Sequence, residues 1–116
     1  MERDPRAFLW DVQQAVIAIQ EFTHGMDSTS YADSALVRSA VERQFEIIGE
    51  ALNRLSKTSP DLAQEIPNLR EIVGFRNILI HGYASVDHGR VWQISVELAP
   101  QLKLAVSALL QRLGSE

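Results

Sequence analysis

Apolar residues recur every three or four positions through most of the chain, and the runs are cut by clusters of Gly, Pro, Ser, Thr and Asp. Phe8, Val12, Ala15, Val16, Ile19 and Phe22 form the first stripe. Asp4-Pro5 sits just before it, an aspartate able to accept from the free amides of a first turn and a proline suited to the first helical position. With Gly25 ending the run, the pattern predicts a helix of about 20 residues. MDSTSYADS then reads as a turn-rich connector with several possible caps. Val37, Val41, Ile48, Ala51, Leu52 and Leu55 predict a second long helix that stops near Lys57-Thr58-Ser59-Pro60. SPDLAQEIP, bracketed by prolines, reads as a short helix of about two turns. A third main helix is expected to open at Pro67, carry Leu69, Ile72, Val73 and Leu79, and end on a left-handed cap at Gly82. Val91, Ile94, Leu98, Leu102, Ala105, Leu109 and Leu113 mark a last long helix, bent at Pro100 because proline lacks an amide and crowds the preceding turn. No strand-like alternation of useful length interrupts this series. The expected fold is all-α, an up-and-down four-helix bundle with an additional short helix, in a single domain spanning residues 1–116.

Some helices carry more apolar surface than one core needs. Leu9, Trp10 and Ile17 lie outside the stripe of the first helix, and the last adds Trp92, Val96, Leu104, Val106 and Leu110. A helix apolar on two sides is buried on two sides, either by a second copy of the chain or by the short helix and the connector. A homodimer is expected.

Composition narrows the setting. The chain has 116 residues, no run of roughly 18 apolar residues that could span a bilayer, and a charged start, MERDPRAF, where a secretory signal would be apolar. A cytoplasmic protein without membrane contact is expected. The absence of cysteine excludes disulfides and thiolate zinc sites. The net charge of −4 argues against a general nucleic-acid coat, yet it is unevenly spread. Residues 1–67 hold six Lys/Arg and eleven Asp/Glu, whereas residues 68–116 hold five and four, with two of the three histidines. An anionic ligand suits the second half better.

The densest candidate chemistry is RNILIHGY, residues 76–83. Five residues advance about 500° around a helix, so Arg76 and His81 diverge by about 140° unless the helix end unwinds at Gly82. Carbonyls at a helix terminus favour a protonated imidazole and a nearby guanidinium opposes it, a balance suited to proton transfer. With Asn77 and Tyr83 as further polar groups, the arginine's planar fork and the imidazole make a phosphate site that could cleave RNA without a metal. One histidine does not easily serve as both base and acid, and two such tips facing each other in a dimer would supply the second. A simple cap interaction is the plainer role for His81. His24, before Gly25, reads as such a cap; His88, after Asp87, reads as a cap neighbour or a ribose contact. The three histidines lack the spacing of a helical metal pair, so no cofactor or metal is expected. Gly49, inside a helix, points to close helix approach first and function second. Trp92 and Tyr31 suit packing or base stacking.

Arg76-Asn77-Ile78-Leu79-Ile80-His81-Gly82-Tyr83 resembles the R-x4-H-x-Y signature of HEPN domains, in the HepT-like branch that accompanies minimal nucleotidyltransferases. Val41 to Leu55, with Ile47-Ile48-Gly49-Glu50-Ala51, is similar to the "IGEA" helix of that branch, and the likeness covers nearly the whole chain. It implies a dimeric HEPN bundle acting as a metal-independent endoribonuclease toxin, with Arg76 and His81 catalytic and Asn77 the polar residue after the arginine. It implies a minimal nucleotidyltransferase antitoxin that silences the toxin by adding AMP to Tyr83. Glu50 then either orients Arg76 through an ion pair or faces water. The alternative is a non-catalytic HEPN subunit that binds nucleotide or docks a nucleotidyltransferase.

Overall fold

The first helix begins where the sequence offers an acceptor. In a computed structural model that describes residues 3–114, and of Tyr83 only the backbone, the Asp4 carboxylate accepts from the Arg6 amide at 2.9 Å. Pro5 opens α1 (Pro5–Phe22). The Arg6 side chain also donates to Asp4, at 2.6 Å, and these bonds lower the Asp4 pKa to about 2. The chain leaves α1 through Gly25, whose φ of +78° is the left-handed conformation glycine adopts cheaply.

The connector differs from its expected form. It folds into a helix of its own, α2 (Ser28–Asp33), because Asp27 and Ser30 close a reciprocal capping box: the carboxylate accepts from the Ser30 amide at 2.8 Å, and the Ser30 hydroxyl accepts from the Asp27 amide at 2.9 Å. This short helix buries Tyr31 completely, its ring 5.5 Å from that of Trp92. Ser34 then caps α3 (Ala35–Thr58), the central helix, through the Val37 amide.

The segment after α3 is shorter than two turns: α4 is the single turn Pro60–Ala63. The next helix, α5 (Leu69–His81), starts two residues later than Pro67 because Asn68 takes a left-handed conformation, φ 62°, which breaks the helix before it. Gly82 is not the expected left-handed cap. Its φ is −122°, its amide still donates to the Ile78 carbonyl at 2.8 Å, and a 3₁₀ turn (Tyr83–Ser85) follows. The helix therefore stays regular through His81.

The last helix absorbs Pro100 in a particular way. Asp87 caps α6 (His88–Gln93), which passes through a π-helical turn (Ile94–Leu98) into α7 (Ala99–Gly114). The Ala99 amide donates to the Ile94 carbonyl, five residues back. A widened turn ahead of a proline relieves the clash its ring would make in a tight one.

The long helices alternate in direction, α1 packing on α3 and α7, and α3 on α5, while α2 covers α6. Phe45 of α3 meets Phe75 of α5 edge to face, centroids 5.4 Å apart, within a core that also takes Leu9, Ile48, Leu52 and Leu102. Leu9 and Val106, the extra apolar positions of their helices, are thus core residues, whereas Trp10 (55%), Val96 (48%) and Leu104 (74%) stay exposed. Among the described residues no helix is long and apolar enough to cross a membrane.

Candidate active site

Gly49 sets the position of Arg76. A Cβ built on Gly49 would lie inside the Arg76 stem, 2.7 Å from its Cγ. Only a residue without a side chain lets the arginine cross α3 here, which is why α3 carries a glycine despite a cost of about 1 kcal/mol against alanine. The half-buried guanidinium is held in the seam between α3 and α5. Its Nη1 donates to Asn77 Oδ1 at 3.2 Å, and its Nε is shielded from solvent with no hydrogen-bond acceptor among the described residues. No described carboxylate forms an ion pair with it.

Glu50 does not orient Arg76 through an ion pair. Its carboxylate meets Arg54 at 3.2 Å, one turn along the same helix, where an i,i+4 pair needs no bridge between helices. Glu50 and Arg76 nevertheless face one recess of about 490 Å³, to which Arg3, Asn53, Arg54 and Lys57 also contribute. The cations of this recess escape motif reading, although Glu50, Asn53, Arg54 and Lys57 repeat at helical spacing on the face that carries Gly49.

His81 is the last residue of α5, exposed and without a hydrogen-bond partner among the described residues. Because the helix does not unwind, the backbone position of His81 lies about 7.5 Å along the axis and about 140° around it from that of Arg76. One chain thus presents a guanidinium in a seam and an imidazole at a tip, and does not close them into a pair. Asn77 joins the arginine. Tyr83 follows in the 3₁₀ turn, two residues beyond His81, and its side chain lies outside what the structure describes.

Of the other histidines, His24 is exposed beside Gln20 and Glu21. His88 takes the first position of α6 after the cap Asp87, and its Nδ1 is buried without a hydrogen-bond partner among the described residues. It belongs to a group the sequence reading missed. Burial raises the pKa of Glu42, against the opposing charge of His88, and burial followed by the Glu42 charge raises that of Tyr31, whose hydroxyl also lacks a partner among the described residues. The signal was Glu42 itself, a carboxylate between Val41 and Phe45 of the core. Among the described residues no three His, Asp or Glu side chains converge as metal ligands.

An all-α bundle with an arginine set in a helix seam and a histidine five residues on defines a HEPN-type domain. Residues 12–109 match the family model "Ribonuclease HepT-like", and the chain belongs to that family. It is 37% identical over 107 residues to a candidate RNase of Methanocaldococcus jannaschii, covering 90% of this chain and 95% of the relative. It is 35% identical over 103 residues to a candidate ribonuclease HepT of Thermococcus cleftensis, covering 89% and 93%. A candidate RNase of Caldanaerobacter subterraneus is 29% identical over 110 residues, 95% of this chain and 97% of that one. No solved structure matches the chain.

Proposed function

We propose that the protein is the toxin of a toxin–antitoxin pair, a cytoplasmic endoribonuclease that cleaves RNA without a metal through Arg76 and His81 in a two-fold dimer. The observation that carries this reading is the arginine of the seam: α3 gives up a side chain at Gly49 to admit it, and no described carboxylate neutralises it. A structural arginine is normally paired when partly buried, whereas one meant for a phosphate keeps its charge available.

In this reading Arg76 and Asn77 hold the scissile phosphate and stabilise the charge that builds on it. His81 of one protomer takes the proton of the 2′-hydroxyl, and His81 of the other hands a proton to the departing 5′-oxygen. The 2′-oxygen forms its bond to phosphorus as the bond to the 5′-oxygen breaks, leaving a cyclic phosphate. The dimer brings the two tips together, and the exposed Trp10, Val96 and Leu104 are apolar surface available for such contact. AMP added to Tyr83 by a minimal nucleotidyltransferase would place a negative phosphodiester beside this site and silence it.

The test is purified protein with RNA in EDTA. Cleavage is expected, and Arg76→Ala and His81→Ala variants that remain folded are expected to lose about 10²- to 10⁴-fold in rate. Cleavage that survives both substitutions, or that stops in EDTA, rejects the assignment. Mass spectrometry of the chain co-expressed with the nucleotidyltransferase tests the Tyr83 modification. The separation of Arg76 from His81 within one chain favours a second reading, a non-catalytic subunit that binds nucleotide or docks the nucleotidyltransferase. Nucleotide binding without cleavage would select it.

A further inference from the structure

The recess beside Arg76 carries an excess of cations. Arg3, Arg54, Lys57 and Arg76 face it, and among the described residues two carboxylates pair with these cations: Glu50 with Arg54, and Asp11 with Arg3 at 2.9 Å. Four cations against two carboxylates leave +2 in a chain whose net charge is −4. Lys57 and Arg76 are the unneutralised pair, since neither forms an ion pair with a described carboxylate. The Nε of Arg76, shielded from solvent, has no acceptor among the described residues.

The direction of the recess matters as much as its charge. α3 and α5 run antiparallel, with Ser56 near Leu69 and Gly49 against Arg76. From Arg76, residues of α5 toward His81 therefore lie beside the first half of α3, and Arg54 and Lys57 extend the opposite way. Gly49 to Lys57 is a rise of about 12 Å. The floor is mixed: the Arg3 guanidinium lies over the buried Phe8 ring, 4.9 Å from its centroid, and Asn53 and Thr58 offer hydrogen bonds.

We propose that this recess binds a phosphate of the same RNA strand next to the one held by Arg76 and His81, so that Lys57 and Arg3 fix the strand's path along α3. The proposal rests on the ribonuclease reading and deepens it. The ligand is single-stranded: a flexible strand can turn its backbone, and the phosphates along it, into a recess on one side of the chain. Arg3 reaches the strand by exchanging Asp11, an exposed pair whose loss costs little.

The experiment measures binding of a single-stranded RNA decamer as a function of salt, in a His81→Ala background so that cleavage does not enter. The combined Lys57→Gln and Arg3→Gln variant is expected to bind about tenfold more weakly at moderate salt. Its slope of log affinity against log salt should be shallower by about 1.4, or about 0.7 for each phosphate no longer neutralised. Lys57→Arg should restore most of the Lys57 share. Lys103→Gln, which removes a cation from α7 that bonds Gln20, should leave both affinity and slope in place. An unchanged slope in the double variant, or an equal change in Lys103→Gln, overturns the proposal. Weakened binding of AMP with the RNA slope unchanged also overturns it, since the recess would then serve a free nucleotide. RNA binding that responds as expected, in a protein whose intact His81 form never cleaves RNA, would sink the nuclease reading and leave the recess as a strand-binding site.

Discussion

The two halves of α3 bury polar groups in opposite settings. Toward its C-terminal end, Gly49 admits Arg76, whose Nε is shielded but whose guanidinium opens on a recess lined by further cations. Toward its N-terminal end, Glu42 packs near Tyr31 and His88, whose hydroxyl and Nδ1 are buried without partners among the described residues. The first arrangement keeps charge available to a ligand. The second offers an anion nothing: burial raises the pKa of both Glu42 and Tyr31, so it favours their neutral forms. A buried polar group is a candidate for chemistry when an opening with matching charge reaches it.

Several substitutions bear on that contrast. The largest expected effect is structural and common to both halves: Phe45→Ala removes the ring that meets Phe75 and should cost about 3–5 kcal/mol, read as a drop in thermal or denaturant stability. A much smaller loss would mean that the halves are not joined by one core. Next is Gly49→Ala. The added methyl overlaps the Arg76 stem, so the arginine must move, and RNA cleavage should fall by about 100-fold, or about 2.7 kcal/mol, while the protein stays folded. Full activity in that variant would show that the crossing does not place the guanidinium. In the closed half, Tyr31→Phe removes a buried hydroxyl without a partner and is expected to raise stability by about 1 kcal/mol. A clear loss instead would reveal that the hydroxyl is satisfied.

The smallest effect is on pH dependence. The Glu42 carboxyl titrates above its ordinary 4.5 in the folded chain, mainly through burial. The folded state then holds that proton more tightly than the unfolded state, so stability falls as pH rises through the window above 4.5. Glu42→Gln should flatten that part of the stability curve and be the more stable form at pH 7, as equilibrium unfolding at two pH values would show. An unchanged curve would remove Glu42 from the closed group.

Most of the fold was legible because burial repeats at the helical period: the stripes of α1, α3, α5 and α7 are visible residue by residue. What escaped was local. The Asp27–Ser30 box is a cap signal, but with Tyr31 as the one buried residue of α2 there was no apolar period to mark that helix. The ends of α5 depended on the φ of Asn68 and Gly82, which neighbouring residues bias but do not dictate. For the site, Arg76, His81 and Asn77 were identifiable as a motif, and Gly49 was correctly read as a close approach. The pairing of Glu50 was not, because two arginines, Arg54 and Arg76, compete for one carboxylate and only geometry decides between them. Lys57 and Arg3 come together through packing alone, fifty-four residues apart in sequence.

The widened turn ahead of Pro100 also settles a question of phase. Ile94 and Leu102 are both buried, yet eight residues of regular helix advance about 800°, some 80° away from a common face. Taking up one extra residue in the wide turn reduces the effective advance to about 700°, within about 20° of two full revolutions. Accommodation of the imino ring and realignment of the apolar side toward the bundle are one and the same adjustment. A chain lacking a single residue between 94 and 98 could keep that alignment with an ordinary helix, provided the ring were replaced as well.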